Sequence, residues 1–231
     1  MNIAIIAAAG AGTRMASDRP KQFLQLAGKP VIFHALQPFE ECESINEVIV
    51  VLPAAESAGF LSLAGKYGLR KVSRVVPGGV TRADSVKRGL MAIRSATAKI
   101  VAVHDGVRPF VTVEEISRTV EAARLHGAAI LVAPATDTIK QVSEQRVVKT
   151  LDRAGLRRAL TPQCFQYELL RQAYQHADVN DPLLTDESAL VEQLGKPVSV
   201  VEGSSRNIKI TTSSDLLIAE ALLNESTDYT D

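Results

Sequence analysis

Tryptophan is missing from this chain, and aromatic residues of all kinds make up only 4% of its 231 residues. A core must therefore be built from Ala, Val, Leu and Ile. Net charge is missing too, because 26 Lys plus Arg balance 26 Asp plus Glu. That removes the global basic field of a nucleic-acid binder and the acidic block of a solvating tail. Only Cys42 and Cys164 are present, far apart and without metal-ligand spacing. A reduced, cytoplasmic protein is expected rather than a disulfide scaffold or zinc module. No charged segment precedes the first apolar run, which ends at Gly10, so it is not read as a signal peptide. No apolar stretch reaches bilayer length, and neither a membrane nor a nucleic acid is expected as a partner. Internal repeats, low-complexity tracts and linkers are absent, and the length suits one α/β domain over residues 1–231.

What is present begins at once. Ile3-Ala4-Ile5-Ile6 is too short for a helix and reads as a strand buried on both faces. It runs into Ala7-Ala8-Ala9-Gly10-Ala11-Gly12-Thr13-Arg14-Met15, with Lys21 shortly after. Small residues let backbone N–H groups approach a bound anion closely, and a row of such groups is an anion cradle. Arg14 adds a forked donor and Lys21 a point charge, which together suit a triphosphate. A dinucleotide turn is the competing reading, but Met15 stands where its third glycine belongs, and no acidic residue follows at the ribose position. No Gly-Lys-Ser/Thr closes a Walker loop.

The periodicity places further strands at 48–52, 72–76, 100–103, 128–132 and 198–201. Helices are placed at 31–39, 55–66, 113–125 and 166–177, after Thr185 as cap, and from about Ser213 to Leu223. Pro30 is read as the first residue of its helix, residues 207–211 as a short strand, and Asn224 to Asp231 as a tail. A second glycine loop, Pro77-Gly78-Gly79-Val80-Thr81-Arg82-Ala83-Asp84-Ser85, ends the third strand. Its N–H groups and the Ser85 hydroxyl suit a nucleobase or ribose edge; alone, it also fits an ordinary βα turn with Arg82 solvated. Asp105 ends the fourth strand, where open α/β sheets bind ligands. A carboxylate facing a phosphate cradle suits Mg²⁺, which takes one or two carboxylates plus phosphates. Arg108 is placed for a second phosphate, and His104 reads as a structural histidine. From about Pro134 to Arg158 the pattern alternates on both sides of Ser143-Glu144-Gln145-Arg146. This is a β-hairpin arm standing off the sheet, and a lone hairpin needs a surface to pack on.

The ordered set of Ala8 to Met15, Pro20-Lys21-Gln22, Gly78-Gly79-x-x-Arg82-x-x-Ser85, His104-Asp105-x-x-Arg108-Pro109, Asp137 to Lys140, Asp152-Arg153-x-Gly155-Leu156, Leu160-Thr161-Pro162-Gln163, Thr185-Asp186-Glu187 and Asn207 to Thr211 resembles the 2-C-methyl-D-erythritol 4-phosphate cytidylyltransferase family. The resemblance covers nearly the whole chain. It implies a single Rossmann-like nucleotidyltransferase domain, with a mostly parallel sheet, helices on both faces and a protruding hairpin arm. It implies CMP transfer from CTP to the polyol phosphate, with Mg²⁺, in non-mevalonate isoprenoid synthesis. It also implies a homodimer with exchanged arms. D-ribitol 5-phosphate is the alternative acceptor.

Carried over by position, the resemblance assigns Ala8, Ala9, Gly10, Ala11, Gly12, Thr13, Gly79, Arg82 and Ser85 to the nucleotide, and Arg14, Lys21 and Lys209 to catalysis. It assigns Asp105 to the metal, and Asp105, Arg108, Thr161, Thr185, Lys209 and the other subunit's copy of Arg153 to the acceptor. Three departures stand out. Gly106-Val107 replaces the usual two alanines, Val80-Thr81 an acidic pair, and Arg206 a frequent aspartate.

Overall fold

The computed structural model describes residues 1–10, 19–181 and 184–227, without the side chains of 225–227. Seven strands form the central sheet, in the order β11-β7-β10-β6-β1-β4-β5. Their ranges are β1 Asn2–Ala7, β4 Glu47–Leu52, β5 Val72–Pro77, β6 Ile100–Asp105, β7 Ala128–Pro134, β10 Arg157–Gln166 and β11 Ser199–Glu202. All pairs are parallel except those of β10, which runs antiparallel to β6 and β7. Two short strands, β2 (Gln25–Leu26) and β3 (Lys29–Pro30), pair beside it. The helices are α1 Val31–Glu41, α2 Ala54–Ser57, α3 Phe60–Lys66, α4 Arg82–Met91, α5 Val113–His126, α6 Tyr167–His176, α7 Glu187–Gln193 and α8 Ser213–Thr227.

Strand period divides the core between the two faces. Ala4 and Ile6 pack with Ile32, Phe33, Leu36, Phe39, Ile116 and Val120, from α1 and α5. Ile5, Val101 and Val103 pack on the other face with Val86, Leu90, Leu170 and Val191, from α4, α6 and α7. The helices start where side chains accept orphan N–H groups. Thr81 caps α4 through Asp84 N, and Thr112 with Glu115 forms a full capping box on α5.

The structure departs from the sequence reading in six places. The helix expected over 55–66 is broken into α2 and α3 at Gly59, whose φ of 77° is left-handed. Pro30 is the N-cap of α1 rather than its first residue. Asp186, not Thr185, caps α7, because it is the Asp186 carboxylate whose Oδ1 accepts from Ala189 N at 3.2 Å. Residues 207–211 form no strand, since Ile210 N bonds Val107 O outside any ladder. The helix α8 continues past Leu223 to Thr227. Strand β10 was not expected at all. Its register shifts between Ala159 and Gln163, a bulge that tolerates Pro162 inside a strand.

The arm consists of β8 (Lys140–Ser143) and β9 (Arg146–Thr150), antiparallel. Glu144 and Gln145 both have positive φ, 48° and 63°, as a two-residue turn twisted to match its strands requires. Every residue of both strands is exposed, including Val142, Val147 and Val148.

Candidate active site

Strand order reverses between β1 and β6. From β1 the chain proceeds outward to β4 and β5, and then returns to β6 on the other side. Ala7 and Asp105, the last residues of the two strands, are register partners. Chains leaving such a reversal splay apart and open a crevice at the carboxyl ends. Here it is a cavity of about 430 Å³, lined by Ala7 to Gly10, Lys21, Gln22, Gly79 to Arg82, Ser85, Asp105, Val107 and Lys209.

Nine of the assigned residues therefore meet in one cavity: Ala8, Ala9, Gly10, Lys21, Gly79, Arg82, Ser85, Asp105 and Lys209. Ala11, Gly12, Thr13 and Arg14 lie outside the described residues. Gln22, quoted only as part of a motif, is a buried tie whose Nε2 donates to Ala8 O at 2.6 Å. That bond fixes the short 3-10 turn Lys21–Phe23, and Lys21 with it, against the cradle. Ser85 Oγ accepts from Gly79 N at 3.0 Å and donates to Thr81 O at 2.9 Å. It thus shapes the second loop from inside.

Four of the assigned residues do not line the cavity: Thr161, Arg108, Thr185 and Arg153. Thr161 is buried, and its Oγ1 bonds His104 Nδ1 at 2.8 Å and accepts from Asp105 N at 3.2 Å. It holds Asp105 from behind and presents no hydroxyl to an acceptor. Arg108 turns its guanidinium inward, with Nε 3.3 Å from Asp105 Oδ2 and Nη1 donating to Asn207 O at 2.8 Å. Thr185 is exposed and does not line the cavity. Arg153 sits on the arm, N-capped by Asp152 and donating to Thr136 O, and does not line its own chain's cavity.

Asp105 is the charge centre. Its Oδ1 takes Arg82 Nε at 3.0 Å, and its Oδ2 takes Lys209 Nζ at 2.9 Å besides Arg108. Burial alone would raise its pKa, but Arg82, Lys209 and Arg108 outweigh burial and hold it well below the usual carboxylate range. The carboxylate stays ionised. His104 behaves as the sequence suggested. Nε2 meets Arg108 O at 3.1 Å, Nδ1 meets Thr161, and burial pushes its pKa down to about 4.

That shift predicts a pH dependence. The fold favours neutral His104, so the unfolded chain binds the proton first. Stability should fall as pH drops from about 6.5 to about 4, by on the order of 3 kcal/mol for a shift of this size. Denaturant unfolding across that window should show the slope, and a His104→Asn variant should flatten it. An equally steep profile in the variant would move the effect elsewhere.

Among the described residues, Asp105 is the only carboxylate lining the cavity, and no cluster of three or more His, Cys, Asp or Glu able to hold a metal occurs. One ionised carboxylate beside a phosphate cradle does fit an ion that takes its other ligands from phosphates and water.

The sequence departures find local reasons. A Cβ on Gly106 would lie 2.7 Å from Ala8 Cβ, so glycine lets β6 approach the cradle closely. Val80 is 91% exposed at the cavity rim. Thr81 Oγ1 donates to Val179 O at 2.7 Å and ties the second glycine loop to the segment that follows α6. Arg206 Nη2 donates to Leu222 O at 3.0 Å and serves α8 instead of the cavity.

Among the described residues no helix is long and apolar enough to cross a membrane. The family model for 2-C-methyl-D-erythritol 4-phosphate cytidylyltransferase (IspD) matches residues 2–225. The enzyme of that name from Pelotomaculum thermopropionicum is 43% identical over 222 residues, 95% of this chain and 93% of that one. The Geobacillus thermodenitrificans enzyme is 43% identical over 220 residues, with 95% and 96% covered. A crystal structure of 4-diphosphocytidyl-2C-methyl-D-erythritol synthase from Anaerococcus prevotii superposes with a TM-score of 0.84 at 31% identity, covering 96% of this chain and 98% of that one. The Thermus thermophilus cytidylyltransferase structure gives 0.77 at 34% identity, with the same coverages. A cavity at the strand reversal with its basic side chains, and relatives matching end to end, lead to one conclusion: the chain belongs to the 2-C-methyl-D-erythritol 4-phosphate cytidylyltransferase family.

Proposed function

We propose that the cavity transfers CMP from CTP to 2-C-methyl-D-erythritol 4-phosphate, releasing pyrophosphate and forming 4-diphosphocytidyl-2-C-methyl-D-erythritol. The observation that carries this reading is the meeting of Ala8 to Gly10, Lys21, Gly79, Asp105 and Lys209 in one cavity, within a family of that activity. The acceptor's phosphate oxygen attacks the α-phosphorus of CTP in line, a P–O bond forms, and the bond to pyrophosphate breaks. A phosphate monoester is already ionised at neutral pH, so no general base is required. Catalysis rests on positioning and on positive charge facing the equatorial oxygens. Lys21 and Lys209 supply that charge from the cavity wall, with Arg14 as the third donor. Asp105 would hold Mg²⁺, which when bound neutralises charge on the phosphates.

Acceptor choice and nucleotide choice are tested together. Pyrophosphate release should be seen with CTP and methylerythritol phosphate, and be far slower with ATP, GTP or UTP. Equal or greater release with D-ribitol 5-phosphate would replace the acceptor. No release with any pair would overturn the reading.

The second loop gives a sharper test of nucleotide binding. A Cβ on Gly78 would fall 2.1 Å from Ala9 Cβ and 3.1 Å from Ser85 Oγ. Gly78→Ala must push the cradle and the loop apart. Calorimetry should show CTP affinity down about tenfold, or ~1.4 kcal/mol. Unchanged affinity would mean that this spacing does not matter to the nucleotide.

The exposed apolar arm supports a two-fold dimer, since a second copy covers both arms at once. Arg153 of one subunit then completes the other's acceptor site. Arg153→Ala should raise KM for the polyol phosphate while leaving that for CTP nearly unchanged. Mixed with Lys21→Ala chains, it should regain part of the activity, because the Lys21-defective chain lends its intact arm to a site whose own Lys21 is intact. Heterodimers without recovery would mean that the arm does not serve its neighbour.

A further inference from the structure

We infer that Glu187 is a positioning residue for this reaction: from behind the cavity wall it aims Arg82, and thereby fixes how Asp105 divides its two oxygens. The inference rests on the reading of the cavity given above. Glu187 is 1% exposed and does not line the cavity. Both of its oxygens accept from Arg82 Nη1, at 2.8 and 2.9 Å, and Tyr174 OH donates to Oε1 at 3.0 Å. Arg82 does line the cavity, and its Nε reaches only Oδ1 of Asp105.

A guanidinium held by one nitrogen on one carboxylate is free to swing about that contact. A second anchor on another nitrogen fixes its plane. With Glu187 in place, Arg82 occupies Oδ1 alone, and Oδ2 is left to Lys209 and Arg108. Without it, Arg82 is free to close on both oxygens of Asp105 or to fold over incoming phosphates, and Lys209 loses the contact that sets its position.

The mount behind Glu187 is rigid. Asp186 caps α7, and Gln163 of β10 bridges the cap, with Nε2 donating to Asp186 Oδ2 at 2.8 Å and Oε1 accepting from Ser188 N at 3.1 Å. Burying a carboxylate carries a desolvation penalty that an apolar side chain avoids. Stability alone is therefore a weak reason for Glu187, and the orientation of Arg82 is a specific one.

The test is a cycle of Glu187→Gln and Arg82→Gln, read by kcat, by KM for each substrate and by thermal midpoint. Glu187→Gln keeps the shape and removes the charge. Its kcat should fall by about tenfold to a hundredfold, with KM for CTP within about threefold and a midpoint shifted by a few degrees. Glu187→Asp should recover part of the loss. Because Glu187 acts through Arg82, the double variant should be no slower than Arg82→Gln alone. Wild-type kcat in Glu187→Gln, or fully additive losses, would overturn the proposal. Should Glu187→Gln fail to fold, Tyr174→Phe removes a single bond to Glu187 and should lower kcat a few-fold at constant KM; unchanged kcat there overturns it equally. An inactive wild-type enzyme would instead sink the reading of the cavity itself.

Discussion

Asp105→Asn is expected to reduce turnover by about a thousandfold and to remove about 3 kcal/mol of stability. The shape of the side chain survives; its charge does not. Arg108 and Lys209 then share a wall with no anion between them, and Arg82 keeps only Glu187. Breaking a buried pair by deleting one partner typically costs more than the pair contributed, because the other charge is left behind. The figure sits at the lower end of that range because Lys209 and Arg82 retain some solvent, with about a third and a quarter of each side chain exposed. Raising the pH should not restore activity, since a ligand or counter-charge needs a permanent negative charge, whereas a general base would shift its profile. Pyrophosphate release and urea unfolding measure the two effects. Wild-type turnover at low Mg²⁺ would contradict both the metal role and the organising role of this carboxylate.

Lys21→Ala should cost about a hundredfold to a thousandfold in kcat while KM for CTP changes little. Charge on the α-phosphoryl oxygens grows as the leaving bond stretches, so a donor aimed there is worth more in the transition state than in the ground state. The substitution leaves the mount intact, because Gln22 still donates to Ala8 O and holds the turn. A raised KM with normal kcat would make Lys21 a simple binding contact.

Much of this was legible in the sequence because it depends on local rules. The apolar runs at β1, β4, β5, β6 and β7 read as strands, and Asp105 could be placed at a strand end without knowing the sheet order. The hairpin announced itself by alternation around a polar turn. Strand β10 was hidden because Pro162 and a bulge interrupt its pattern, and its pairing joins residues distant in the chain. The inner wiring of the site was hidden for a related reason. Nothing in a linear reading shows that Thr161 lies behind Asp105, that Arg108 turns toward Asn207, or that Glu187 reaches Arg82 across the fold. Glu187 did leave one signal: an acidic residue in the first turn of α7, directly after the Thr185-Asp186 pair that supplies the cap.

The central claim is that the cavity holds two phosphate groups side by side and lets one attack the other directly, with no covalent protein intermediate. Configuration at the α-phosphorus tests this most directly. With a single diastereomer of CTP bearing sulfur on the α-phosphate and methylerythritol phosphate as acceptor, the product should show inversion, the outcome of one in-line displacement. Retention would require two displacements, and with them a protein nucleophile that this account does not contain.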